Sequence, residues 1–259
     1  MLSSTTILLA LLSISASVNA APVRREVPQA HSHQSFIDSV GASLKLNNPA
    51  GIGSPVFGLL GDKAGAKGLG KITDVECLQQ ATADQAFTNA KAKGDVQGQV
   101  DALTYRALER NTAKIGQASN LCTSIKAVNP EIAAIQQHQD PASAGAAAHN
   151  KAVTLELAKQ IAAVGGNPQD ALKSGTFKPG NLNDHSGKGN TCNDANDHKG
   201  CIFTQNLIVN DATPDEINAA VKGVAAAPAK AAATEAAATA AAATTTAKAS
   251  KKAKATSTA

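Results

Sequence analysis

Four cysteines, Cys77, Cys122, Cys192 and Cys201, constrain this chain more than any other feature. An even number of cysteines in an oxidising compartment is expected to pair, and three pairings are open. Cys192 and Cys201 flank a short polar segment, while Cys77 and Cys122 each fall in a stretch that reads as helix. The reading favours Cys77–Cys122 and Cys192–Cys201. The first bridge would close a loop of 45 residues and stabilise by about 3–4 kcal/mol on the chain-entropy argument. A zinc site is the rival, but neither Cys-x-x-Cys nor a paired histidine spacing accompanies these residues.

The amino terminus supplies a reason to expect oxidation. Ile7-Leu8-Leu9-Ala10-Leu11-Leu12 is an apolar centre too short to span a bilayer, and Val18-Asn19-Ala20 offers small residues where a signal peptidase needs them. Residues 1–20 therefore read as a signal peptide cleaved after Ala20, although no basic residue follows Met1. Arg24-Arg25 has the form of a dibasic processing site, which makes 21–25 a pro-segment and Glu26 the first mature residue. No later window holds eighteen apolar residues, so no transmembrane segment is expected.

Composition changes abruptly after Val224. Residues 225–259 contain 19 Ala, 7 Thr and 5 Lys and no aromatic residue, so this tail has no apolar bulk to bury and reads as disordered. Thr234, Thr239, Thr244, Thr245 and Thr246 are its candidate O-glycosylation sites. Residues 26–224 read as one helical secreted domain. The formal charge of +4 belongs to the flanks, because residues 1–25 carry +2 and the tail +4, leaving the body 17 basic against 19 acidic residues. With one Tyr and no Trp, neither nucleic-acid binding nor an aromatic sugar platform is expected.

Helix signals fill the body, which reads as mainly α, a disulfide-stapled bundle. Thr73-Asp74-Val75-Glu76 has the form of a capping box opening a helix toward Lys93, stopped by Gly94-Asp95. Val100, Leu103, Ala107, Ile115, Ala118, Cys122 and Ile125 fall on one face of a second helix. On that reading a Cys77–Cys122 bridge staples two helices across their contact. Asn129-Pro130-Glu131 starts a short helix. Asp140-Pro141 starts a longer one with Val153, Leu157, Ile161 and Val164 inward, ending at Gly165-Gly166. Thr213-Pro214-Asp215-Glu216 is a further capping box. Residues 51–70 and 175–200 read as loops, and Ile202-Phe203-Thr204-Gln205-Asn206-Leu207-Ile208-Val209 as a strand or hairpin within 190–210.

Three segments invite chemistry. Gly65-Ala66-Lys67-Gly68-Leu69-Gly70-Lys71-Ile72 follows a phosphate-binding loop until Ile72, which lacks the hydroxyl that magnesium requires. Residues 181–198 gather Asp184, His185, Asp194, Asn196, Asp197 and His198, but not at the spacing of a calcium loop, so they read as Asx-turn surface. His31-Ser32-His33 has a copper-chelating form and reads as solvated. No nucleophile elbow or metalloprotease motif is present, so neither catalytic residues nor a cofactor or metal is expected.

Gly189-Asn190-Thr191-Cys192, Cys201-Ile202-Phe203-Thr204-Gln205-Asn206-Leu207 and Asp211-Ala212-Thr213-Pro214-Asp215-Glu216-Ile217 together resemble a group of uncharacterised secreted fungal surface proteins. The likeness covers about 30 of the 259 residues and implies localisation and lineage, with no catalytic residue carried over. The expectation is a secreted, non-enzymatic protein, extracellular or held in the cell wall, with wall or host-surface components as partners and an open oligomeric state. The alternatives are a secreted effector binding a host target, or an enzyme or metal-binding protein with an unrecognised site.

Overall fold

Phe36, Ile37, Val40 and Leu44 recur at helical spacing and are all buried in the first element, α1 (Gln34–Leu44). His33 caps it without a side-chain bond, so this helix has no start signal in the sequence. The computed structural model that shows it describes residues 29–112, 114–183 and 191–225. The signal peptide, the processing residues Ala20, Arg24 and Arg25, and the five tail threonines lie outside the described residues.

Residues 51–70, expected as loop, are wound into single turns: a 3-10 turn at Pro55–Leu59, α2 (Asp62–Gly65) and a 3-10 turn at Ala66–Gly68. Close backbone packing explains the glycines. Gly53 donates its N–H to the Gly68 carbonyl at 2.8 Å, and a Cβ on Gly68 would lie 2.4 Å from the Phe57 Cβ.

A 3-10 turn at Val75–Cys77 leads into α3 (Leu78–Lys93). Its cap is Asp74 rather than Thr73, since Asp74 Oδ1 accepts from the Glu76 amide at 2.9 Å. The expected capping box is not formed, because the carboxylate is the stronger acceptor and Glu76 is drawn away to Asn120. Gly94, left-handed at φ 70°, ends α3, and Asp95 caps α4 (Val96–Ala107) through the Gly98 amide at 2.9 Å. With two residues between them, α3 and α4 form a tight hairpin, and fully buried Ala83, Ala86 and Ala102 let the backbones approach.

The second helix was expected to continue to Ile125, but it stops at Ala107. Asn111, Thr112, Gly116 and Asn120 are weak helix formers, and tertiary contacts claim the chain as soon as it leaves α4. Arg110 pairs with Asp62, the Asn111 amide bonds the Leu59 carbonyl at 2.9 Å, and Gly116 turns left-handed at φ 78°. Residues 108–129, helix-free in their described part, form a long strap across the α3–α4 hairpin.

After α5 (Pro130–Ala133), Asp140 does not open the next helix as expected. Its carboxylate closes a turn on Ala142 N at 2.7 Å and reaches Gly116 N at 2.7 Å. The chain then enters α6 (Ala146–Ala163) through left-handed Gly145. Val153, Leu157, Ile161 and Val164 face the core, and left-handed Gly165 follows. A 3-10 turn at Pro168–Ser174 packs back on α6.

The run from Ile202 to Val209 is not a hairpin. Cys201–Thr204 forms the short helix α7, Asn206 is left-handed at φ 53°, and Val209 makes one isolated antiparallel bridge to Thr176. Burial of Cys201 and Ile202 against Phe177 favours a compact turn there over an extended strand. The capping box at Thr213 and Glu216 is present and opens α8 (Pro214–Ala220), which closes against α6. The chain is thus mainly helical, with α1, α3, α4 and α6 around a core of Phe87, Leu103, Tyr105, Ile132, Leu157 and Ile161. Among the described residues no helix is long and apolar enough to cross a membrane.

Candidate functional site

Polar residues on α3 and its approach recur at helical spacing, and they hold the strap. Asp74 accepts from Ser124 Oγ, Gln80 Nε2 donates to the Ile125 carbonyl at 2.7 Å, and Asp84 takes the amides of Val128 and Asn129 at 2.7 and 3.0 Å. On the other side, Gln137 and Gln139 bond the Asn120 carbonyl and the Ser119 amide. A disulfide joins Cys77 to Cys122 within this stripe. Because Cys122 lies in the strap, the bridge fastens an irregular segment to the start of α3 instead of joining two helices.

The second disulfide, Cys192–Cys201, closes a loop that docks on the amino-terminal segment. Ile202 N bonds the Ser32 carbonyl at 3.2 Å, His31 N bonds Asn193 Oδ1 at 2.9 Å, and His198 Nδ1 meets Asp38 Oδ2 at 2.7 Å. The His31 ring is occupied by Gln34 Oε1 at 2.7 Å, and Gln34 in turn donates to Asp38 at 2.7 Å. His31, Asn193 and His198, from two sequence motifs far apart, therefore meet along one side of α1.

His33 departs from expectation. It is buried, its ring edge-on to Phe203 at 5.4 Å. A carbonyl can only accept, so Nε2–H donates to Gly175 O at 3.1 Å and Nδ1 accepts from Ser32 Oγ at 3.0 Å. Burial lowers its pKa to about 4. A hydroxyl bonded to an oriented imidazole is a nucleophile–base geometry. Here both groups are buried, and the cavity beside them, lined also by Gln29, Glu109 and Thr176, has room for about one water. The pair pins the amino-terminal segment.

Two buried groups had no signal in the sequence. Arg106 is 3% exposed and among the described residues its hydrogen bonds go to side-chain amide oxygens, the nearest Gln137 Oε1 at 3.1 Å, and burial lowers its pKa to about 10. His138 is fully buried between α4 and α6: Nδ1–H donates to Ala107 O at 2.6 Å, and Nε2 accepts from Thr154 Oγ1 at 3.0 Å. Burial lowers its pKa to about 4. Asp211 stands 3.6 Å from that Nε2, and burial raises its carboxyl to about 6.

The remaining motifs resolve into structure. In the phosphate-loop lookalike, Lys71 Nζ donates to the Pro49 carbonyl at 3.0 Å. Asp194 and Asp197 cap local turns at the Asn196 and Lys199 amides, while Asp184 and His185 lie outside the described residues. Among the described residues no three His, Cys, Asp or Glu side chains converge as a metal ion requires. No known family model matches the chain, and neither a curated protein nor a solved structure is similar to it.

Proposed function

We propose that this chain is a secreted, non-enzymatic fungal protein, extracellular or held in the cell wall, whose helical body acts by binding. The observation that carries the reading is where the two disulfides lie. Each fastens a segment with little regular structure of its own, the strap at Cys122 and the loop at Cys192. A fold that places covalent ties at such segments suits an oxidising compartment, and the signal-peptide reading of residues 1–20 supplies a route to it. The likeness in the Cys192-to-Ile217 block supports a fungal surface lineage. The tail then serves as a polar spacer.

The test is to express the tagged full chain in a filamentous fungus and to fractionate cytosol, wall and medium. The reading expects oxidised protein in wall or medium, beginning at Glu26. Wall retention that resists salt but yields to detergent or reductant would separate a wall component from a freely diffusing effector. Reduced protein confined to the cytosol would refute secretion.

A further inference from the structure

His138 and Asp211 are joined by the fold at a point where four segments meet: the end of α4 through Ala107, α6 through Thr154, residues 137–139, and the lead into α8. The contact lacks a proton. With Nδ1–H committed to Ala107 O, Nε2 presents a lone pair, already met by the Thr154 hydroxyl. A carboxylate facing it adds a second acceptor, and Asp211 Oδ2 is buried without a hydrogen-bond partner, 3.6 Å away. A buried acceptor left unmet is costly, and one hydrogen between these atoms would remove the mismatch.

We infer that Asp211 and His138 form a proton-sharing latch that closes on mild acidification and fastens the lead into α8 onto the α4–α6 seam. The surroundings place the proton. Burial opposes a positive charge on His138 first and His149 on α6 adds to it, while His33 in the amino-terminal segment, its own pKa lowered to about 4, is neutral in this range. Asn150 on α6 lies beside the Asp211 carboxyl, and the Lys151–Glu216 pair spans α6 and α8 outside it. The proton therefore rests on Asp211, whose hydroxyl donates to Nε2 in competition with Thr154. An acid whose folded pKa lies above its ordinary value binds a proton more readily folded than unfolded, so this contact stabilises increasingly as pH falls through about 6. The inference is independent of secretion.

The test compares melting temperatures of the wild type and Asp211→Asn from pH 7.5 to 5. Asparagine offers an N–H donor at every pH, so common titrations of other groups cancel in the difference. The variant is expected to melt several degrees above wild type at pH 7.5, with the gap narrowing to about half by pH 5. A constant gap overturns the latch. Nitrogen NMR of the wild-type His138 ring needs no variant: Nε2 should change its hydrogen-bonded state with a midpoint near 6. A ring signal that stays flat over that window overturns it equally.

Discussion

Removing the Cys77–Cys122 bridge tests whether the strap depends on its covalent tie. The bridge closes 45 residues and Cys192–Cys201 closes nine. On the chain-entropy relation these loops are worth about 4 and about 2.6 kcal/mol respectively. At roughly 2–4 °C per kcal/mol for a domain of this size, Cys77→Ala with Cys122→Ala should lower Tm by about 8–16 °C, and Cys192→Ala with Cys201→Ala by about 5–10 °C. Far-UV circular dichroism melts of the two double variants would give the ratio.

A second readout separates strap from bundle. Without its bridge the strap keeps the bonds from Gln80 and Asp84 near its far end but loses its middle anchor. Trypsin should then cut after exposed Lys126 faster in that variant, while the helical signal below the melt is unchanged. If the nine-residue bridge cost more than the 45-residue one, or if Lys126 were cut equally in both variants, the reasoning would be refuted.

Three further outcomes follow from the packing. His33 is a base whose folded pKa of about 4 lies below its ordinary 6.5, so its contribution is present above pH 6.5 and lost as pH falls toward 4. Urea unfolding should show the wild-type advantage over His33→Gln shrinking by about 2–3 kcal/mol across that window, and a constant advantage would contradict neutral burial. Asp84→Ala removes a charged acceptor from the Val128 and Asn129 amides at the strap's end, the first bond exposed and the second part-buried, and should cost about 1–2 kcal/mol, with hydrogen exchange accelerating at those two amides while α3 stays protected. Gly94→Ala forces a side chain into φ 70° at the end of α3 and should cost about 1 kcal/mol in thermal melts, whereas an unchanged Tm would show that the turn relaxes.

Local signals in this sequence were readable where the deciding atoms lie within one turn. Gly94, Asp95, Gly165 and the Thr213–Glu216 box mark helix ends as the sequence suggests. Reading failed where a distant residue decides. Apolar periodicity alone carries α4 on to Ile125, while distant partners such as Asp62, Leu59 and Cys77 pull the chain out of it. The β-prone run after Cys201 becomes a helical turn because Phe177 covers it. His31 and His33, two residues apart, do different work, one on the surface and one in the core, because Gly175 and Phe203 pack against only the second.

The strap shows what kind of signal was present and unread. Asp74, Cys77, Gln80, Asp84 and Thr88 recur at spacings of three and four, which is one stripe of a helix. A polar stripe is ordinarily read as a solvated face. Here Asp84 and Thr88 both hold Asn129, Gln80 holds Ile125, and Asp74 holds Ser124. A long segment that contains cysteine and weak helix formers cannot satisfy its own backbone groups, so a nearby helix must carry the missing donors and acceptors at helical period. The sequence holds both halves of that match. A periodic stripe of short polar residues bearing one cysteine, beside a weakly helical segment bearing another, is thus a readable sign of a strap, and it locates the disulfide without requiring both cysteines to lie on helices.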